Sequence, residues 1–343
     1  MRSLKKHFFK NASRILLGAF FLGTSCKDEQ KPDPAPEKQK PAEAAALAPA
    51  LAPRDTPKPP EKKPEATKSN GIRFMSYNIE NYLTMTRYKK GGVKELTSKD
   101  PEEIKALVEI IVSEKPDILG ICEIGTPEDL KDLQTRLKNA GLDLPHTVHA
   151  GGSDTTRRLA ILSAHPITAN NSRDHLPFQI DGRERLMGRG ILDATIELPN
   201  GPTHFIGLHL KSKRETEDFD QAEIRLHEAR LARAHCDAIL AKDANARIVL
   251  YGDMNDTRKT PPLAALMGKY QSKDYIGDVF AKDSRGDLWT HFWSYQQQYS
   301  RFDWVLVSRA VYPEVSKEHS YIADPANWND ASDHRAVVVT FGE

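Results

Sequence analysis

The chain is poor in cysteine, with Cys26, Cys122 and Cys236 the only three in 343 residues. That excludes a disulfide-built scaffold, and none of the three has the spacing of a zinc site. Cys122 lies in an apolar run and Cys236 on a helical stretch. In an exported protein they could bridge or remain two buried thiols, and the distance that decides is not written in the sequence. Long apolar runs are missing too: Ile15–Gly23 is too short to cross a bilayer. There is no internal repeat. Nor is there a basic excess, since 49 Lys+Arg face 48 Asp+Glu.

What is present begins with a leader-like N terminus. Residues 1–10 are basic, Ile15–Gly23 is the apolar core, and Thr24-Ser25 precede Cys26. This order predicts a secretory signal over residues 1–26. Cys26 directly after small residues favours a lipoprotein signal with Cys26 lipidated, over an ordinary signal in which Cys26 is incidental. Gly23 stands where the commoner pattern has leucine, although Leu22 is adjacent. Residues 27–70 repeat Pro, Ala, Lys and Glu with few large apolar side chains, which predicts a disordered, semi-extended tether. The expectation is an exported cell-envelope lipoprotein, periplasmic or surface-exposed, touching its membrane only through the anchor.

Residues 71–343 remain, about 270 residues without a second break, and read as one domain. Setting aside five basic residues of the leader, and nine basic and eight acidic ones of the tether, leaves 35 basic against 40 acidic. A mildly acidic domain lacks the footprint that draws a protein passively onto nucleic acid. A phosphate-bearing substrate would need bound cations or local Arg and Lys.

Within the domain, residues 71–79 read as a strand ending at Asn78, and residues 117–124 as a buried strand ending at Glu123. A helix over 101–114 opens on Pro101, and another begins at Thr126-Pro127 and stops by Gly141. Further strands are expected over 158–164, 190–198, 203–210, 247–251, 302–308 and 335–341. One long helix starts at Asp220 with Glu223 as its box partner. Many strands with a few outer helices predict two packed sheets flanked by helices.

Polar residues close several of these runs. Glu123 alone would be a solvent-facing or Arg-paired strand end, yet a carboxylate there also suits a hard cation such as Mg²⁺ or Ca²⁺. Asn78 alone is a turn residue. Asp253 and Asn255 sit at i and i+2, a spacing that puts both on one side of a strand, although Asp256-Thr257 makes an Asx-rich turn equally readable. His209 and Lys211 share a face in the same way and suit an anionic group. Arg301 and Asp303 repeat the spacing. Asp303 would support a partner, and His334 of Ser332-Asp333-His334 is the candidate, because a carboxylate fixes the imidazole tautomer and strengthens it as a base.

In order, Ser76–Glu80 (SYNIE), Ile121–Gly125 (ICEIG), Gly207–Ser212 (GLHLKS), Tyr251–Asp256 (YGDMND), Arg301–Ser308 (RFDWVLVS) and Ala331–Val337 (ASDHRAV) resemble the endonuclease/exonuclease/phosphatase superfamily, with its deoxyribonuclease-I-like fold. The resemblance covers essentially all of 71–343. It implies an α/β protein, a four-layer α/β/β/α sandwich of two packed, mainly antiparallel sheets with the site at one end. It implies Glu123 as principal metal ligand, Asn78 in the metal and phosphate pocket, and Asp333 at a metal site. It places His209 on the phosphate or assisting the leaving group, Asp253 and Asn255 around the nucleophile, and Asp303 behind His334, the base that activates water; Lys211, on the His209 face, stays a phosphate-binding candidate from its spacing. Some nucleases of this fold pair the equivalent of His209 with an upstream glutamate, where this chain offers only Asp154. Arg183 to Arg189 is a candidate substrate-contacting loop.

The expected activity is metal-assisted phosphodiester hydrolysis with Mg²⁺, replaceable by Mn²⁺ or Ca²⁺, by a monomeric enzyme acting on nucleic acid or a small phosphate ester. Alternatives are a phosphatase or lipid esterase acting on inositol phosphates or sphingomyelin-like lipids, and a silent binding protein of the same fold. The aromatic tract Trp289–Tyr299 is the candidate membrane-facing hairpin, and core or stacking aromatics explain it equally well.

Overall fold

The computed structural model describes residues 71–88, 94–214 and 219–342; the expected leader, Cys26 and the tether lie outside the described residues. Two six-stranded sheets organise the chain. The first runs β17 (Val315–Ile322), β18 (Val337–Phe341), β1 (Ile72–Tyr82), β4 (Ile118–Ile124), β6 (Arg158–Ser163), β5 (His146–Ala150). The second runs β13 (Gly277–Asp278), β16 (Asp303–Val307), β12 (Arg247–Asp253), β11 (Gly201–His209), β10 (Leu192–Leu198), β7 (Ile167–Asn170). Three hairpin-like pairs stand apart: β2 (Met85–Tyr88) with β3 (Lys94–Thr97), β8 (Pro177–Ile180) with β9 (Arg183–Leu186), and β14 (His291–Trp293) with β15 (Gln298–Ser300).

The sheets stack face to face because their strands carry apolar side chains on both faces. Between them lie Phe74, Phe205, Tyr251, Val305 and Val339. Phe74 meets Phe205 at 5.1 Å and the edge of Tyr251 at 4.9 Å between ring centroids. Tyr251 fits only because residue 120 has no side chain: a Cβ on Gly120 would lie 2.2 Å from the ring. The outer face of the first sheet is covered by α1 (Pro101–Glu114) and α2 (Pro127–Asn139), through Leu107, Ile111, Leu133 and Leu137 against Met75, Leu119 and Leu162. The second is covered by α3 (Gln221–Lys242) and α4 (Pro261–Met267), through Ala229, Ala232, Cys236 and Leu266 against Ile206, Ile248 and Leu306. The result is the four-layer α/β/β/α sandwich that the sequence implied. Each fully buried large side chain contributes about 1.5–3 kcal/mol over leaving it in water.

Helix ends follow local chemistry. Asp100 accepts from Glu102 N at 3.0 Å, Thr126 and Asp129 form a reciprocal capping box, and Asp220 accepts from Ala222 N at 2.8 Å. Cys122 and Cys236 are unpaired buried thiols, which closes the question of a bridge between them. Among the described residues no helix is long and apolar enough to cross a membrane.

Strand direction places the site. Each sheet contains one parallel pair, β1 with β4 and β11 with β12; the other neighbours are antiparallel. In a parallel pair both carboxyl ends emerge on the same side. Asn78 and Glu123 therefore leave the first sheet together, and His209 pairs directly with Asp253 in the second. β16 runs against β12, so its first residue, Asp303, sits opposite Asp253. β18 runs against β1, which brings the preceding Ser332-Asp333-His334 to the same end.

Candidate active site

Asn78, Glu123, His209, Asp253 and His334 converge as that topology requires. Asn78 Nδ2 lies 3.1 Å from Asp253 Oδ2, 3.5 Å from Glu123 Oε1 and 3.4 Å from His334 Nε2. His209 Nε2 is 3.6 Å from Asp253 Oδ2 and 3.8 Å from Glu123 Oε1. His334 Nε2 is 3.8 Å from Asp253 Oδ2, while its Nδ1 is held by Asp303 Oδ2 at 2.7 Å.

Glu123 owes its direction to a local irregularity. Register breaks between Cys122 and Ile124 on the β6 side and between Asn78 and Tyr82 on the β1 side, and Glu123 itself has φ +69°. A bulge of this kind re-aims one side chain out of the ladder, at a cost met by the surrounding sheet. Asn81 N donates to Glu123 Oε2 at 3.0 Å, and Arg157 Nε stands 3.6 Å from the same oxygen.

Asp253 depends on Gly252. That residue has φ +123°, and a Cβ there would lie 2.0 Å from Leu208 O. Gly252→Ala is therefore expected to cost at least about 2 kcal/mol of stability and to displace Asp253. A urea melt beside a turnover assay checks both; wild-type behaviour in the two would contradict the reading.

Electrostatics divide the two histidines. Burial pushes the His209 imidazolium down, and Arg189, His334, Arg157 and Lys211 push further, so its pKa lies well below the ordinary histidine value. His209 is thus a neutral ring, able to donate one N–H but not to carry charge. Burial also acts against a charged His334, but Asp303, then Asp253 and Asp333, override it and hold its pKa well above the ordinary value. Asp253 is pushed up to about 7, by burial first and then by Asp303 and Glu123 against the pull of His334.

The remaining expected residues divide between pocket and scaffold. Asn78 Oδ1 accepts from Glu80 N at 3.1 Å, so its NH₂ faces the pocket; this suits the phosphate better than the expected metal role. Asn255 does not continue a strand beside Asp253. β12 ends at Asp253, Asn255 turns left-handed at φ +49°, its N–H donates to Asp253 Oδ1 at 2.8 Å, and its Nδ2 donates to Leu210 O at 3.0 Å. The same-face argument from i and i+2 fails there, because it presumed an extended chain that the Asx turn interrupts. Lys211 also lies past its strand, with its backbone N–H on Glu228 Oε2 at 2.6 Å; burial and Arg189 lower its ammonium pKa. Arg301 turns away to Asp278 at 2.8 Å and stacks 3.8 Å over Trp304. Asp154 pairs with Arg189 at 3.3 Å rather than with His209.

Sequence reasoning gave Glu80 no role, although it closes the SYNIE segment. Glu80 Oε2 accepts from Asp333 N at 3.0 Å, and burial followed by the Asp333 charge raises its carboxyl to about 7. Its signal was its place two residues beyond Asn78. Nothing in the linear pattern distinguished it from a solvated strand end.

A hard divalent cation fits this donor set. Glu123 offers only oxygen, which is what such ions select, and Glu80 and Asp333 add two further carboxylates joined to each other by Asp333 N on Glu80 Oε2. Asp333 Oδ1 and Asp303 Oδ1 are buried without a hydrogen-bond partner among the described residues, an arrangement costly without a nearby cation.

Comparison with known proteins agrees with this fold. Residues 76–332 match the model of the Endonuclease/Exonuclease/phosphatase family. The chain belongs to that family. Members share its fold at low identity: human nocturnin's catalytic domain with bound sulfate is 15% identical, with TM-score 0.55, covering 79% of this chain and 94% of that one. An AP endonuclease from Archaeoglobus fulgidus is 15% identical, with TM-score 0.53, covering 79% and 99%. Sphingomyelinase C from Streptomyces griseocarneus is 15% identical, with TM-score 0.50, covering 80% and 100%. No curated protein sequence matches the chain. At such identities the structural likenesses establish the endonuclease/exonuclease/phosphatase fold, and the chemistry has to be argued from this site.

Proposed function

We propose that the protein is a divalent-metal-dependent phosphodiesterase, acting foremost as a nuclease, that hydrolyses its substrate by in-line attack of water. The observation that carries this reading is the Asp303–His334 pair at 2.7 Å, opening onto a pocket where Asn78, Glu123, His209 and Asp253 meet. When bound, Mg²⁺, or Mn²⁺ or Ca²⁺ in its place, would be held chiefly by Glu123 and would neutralise charge developing on a phosphate oxygen.

The chain's own groups supply the remainder. His334 Nε2 accepts the proton of the attacking water while Asp303 keeps Nδ1 protonated and the ring oriented. Neutral His209 donates from Nε2 to a phosphate oxygen, and Asn78 donates from Nδ2. Asp253 receives a hydrogen bond from the same water and aligns it. Lys211, Arg157 and Arg189 supply positive charge on the His209 side, offsetting the domain's acidic balance locally. Donors fixed before substrate arrives cost no reorganisation during the reaction.

Hydrolysis of bis-p-nitrophenyl phosphate tests the reading. Turnover is expected to require Mg²⁺ or Mn²⁺ and to fall by at least about a hundredfold on chelation. Metal-independent turnover, or none at all, rejects it, and the latter outcome leaves a binding protein of this fold.

A lipid phosphodiesterase is the second reading, favoured by the β14–β15 hairpin, which exposes Trp293 (46%), Tyr295 (86%) and Tyr299 (56%) beside the site. Aromatic side chains with polar handles suit a membrane interface. Plasmid DNA, RNA, inositol phosphates and sphingomyelin vesicles assayed side by side separate the readings. An envelope location with lipid at Cys26 is part of the proposal, and loss of fatty-acid labelling in Cys26→Ala is the expected check.

A further inference from the structure

His291 has no part in the chemistry above, yet it is fixed against the base. It bridges His334 in antiparallel fashion, with Phe292 N donating to Asp333 O at 3.0 Å and Arg335 N donating to Thr290 O at 2.6 Å. Backbone on both strands therefore sets the distance between the two rings. The His291 ring stacks on Phe302 at 5.1 Å and lies 4.6 Å from the His334 ring. Its Nε2 is 3.7 Å from Asp333 Oδ2, and His334 Nε2 is 3.8 Å from Asp333 Oδ1. One ligand atom from each of the three residues lies within 4.8 Å of the other two. His291 Nδ1 and Asp333 Oδ1 are buried with no hydrogen-bond partner among the described residues.

We propose that His291, Asp333 and His334 form a second cation site, selective for a borderline transition ion of the Zn²⁺ type, and that filling it silences the enzyme. Two imidazoles and one carboxylate are a donor set for Zn²⁺ or Co²⁺, whereas Mg²⁺ prefers the oxygens around Glu123. Ligand atoms about 2.0–2.2 Å from a tetrahedral ion stand roughly 3.4 Å apart, so a set of atoms lying within 4.8 Å of one another closes on an ion by side-chain movements of at most about 1.4 Å. Outer support is in place for His334. Asp303 on Nδ1 orients the other nitrogen of His334 outward, the carboxylate–histidine–metal arrangement that strengthens a ligand. Inhibition follows from one lone pair: Nε2 cannot hold an ion and also accept a proton from water. The binding claim stands without the proposed activity, while the inhibition rests on it.

The test uses full-length protein in saturating Mg²⁺, titrated with Co²⁺ and then displaced by Zn²⁺. Wild type is expected to give the visible absorption of a low-coordinate Co²⁺ site. His291→Phe, which keeps the ring stacked on Phe302, and Asp333→Asn should each weaken Zn²⁺ binding at least about tenfold. Glu123→Gln should retain it. In parallel, Zn²⁺ should inhibit wild-type hydrolysis of bis-p-nitrophenyl phosphate. The inhibition constant should rise at least about tenfold in His291→Phe, with each enzyme scaled to its own zinc-free rate. Equal binding by wild type and both site variants overturns the site. Binding that depends on His291 without inhibition of an active enzyme overturns the silencing. An enzyme inactive under all conditions removes the phosphodiesterase reading and leaves the binding result to be judged by itself.

Discussion

Replacing His334 by alanine is expected to lower phosphodiester turnover by about 10²–10⁴-fold, the range for loss of a positioned general base. His334 is only 5% exposed, its Nδ1 is committed to Asp303, and Nε2 is left facing Asp253 and Asn78. No neighbour replaces it well. His209 is neutral, and its Nε2 faces carboxylates to which it can only donate. Asp253 is pushed up to about 7, but its Oδ1 is engaged by Asn255 N and its Oδ2 by Asn78. Because the lost interaction acts on the attacking water, kcat and kcat/KM should fall together with KM little changed. Steady-state kinetics on bis-p-nitrophenyl phosphate, with a thermal melt to establish folding, check this. A folded variant keeping more than about a tenth of wild-type turnover would remove His334 from the base role.

Much of this site was legible in the sequence, and for a specific reason. In each sheet a parallel pair sends its carboxyl ends to the same side, so functional residues must follow apolar runs, as Asn78, Glu123, His209 and Asp253 do. Asp303 and His334 precede theirs, because β16 and β18 run the other way. What escaped was whatever depended on bulges and short strands. The left-handed backbone at Glu123 and the bulge carrying Glu80 and Asn81 break the period-two pattern on which strand reading rests, whereas the Asx turn at Asn255 was readable as the alternative to a shared strand face. β13, with two residues, and β14, with three, are too short to show a period, and β14 carries His291. Thr290 was invisible for another reason. It is a fully buried hydroxyl that accepts from Phe302 N and Asp303 N, both at 3.0 Å, so its contribution lies in a contact between distant segments.

Asp303→Asn should be nearly as damaging as loss of His334 itself, about 10²–10⁴-fold in turnover at neutral pH, but with a different dependence on pH. Asp303 is 1% exposed and anchored through its backbone N–H on Thr290, so the isosteric amide will keep the packing. What changes is the partner of Nδ1. An amide NH₂ facing that nitrogen makes it an acceptor and moves the ring proton to Nε2, where it blocks uptake of a proton from water. Asp303 is also the largest of the groups that lift the His334 pKa above its ordinary value. A base works only when deprotonated, so wild-type kcat/KM should rise with pH on a limb displaced to the alkaline side of an unperturbed histidine near 6.5. Removing the carboxylate lowers that pKa, and the limb should shift toward acid. The ratio of wild-type to variant activity must then be smaller at low pH than on the plateau. Structural damage would scale the whole profile without moving it. A lowered plateau with an unmoved limb would therefore assign Asp303 to the fold and detach it from the imidazole's chemistry.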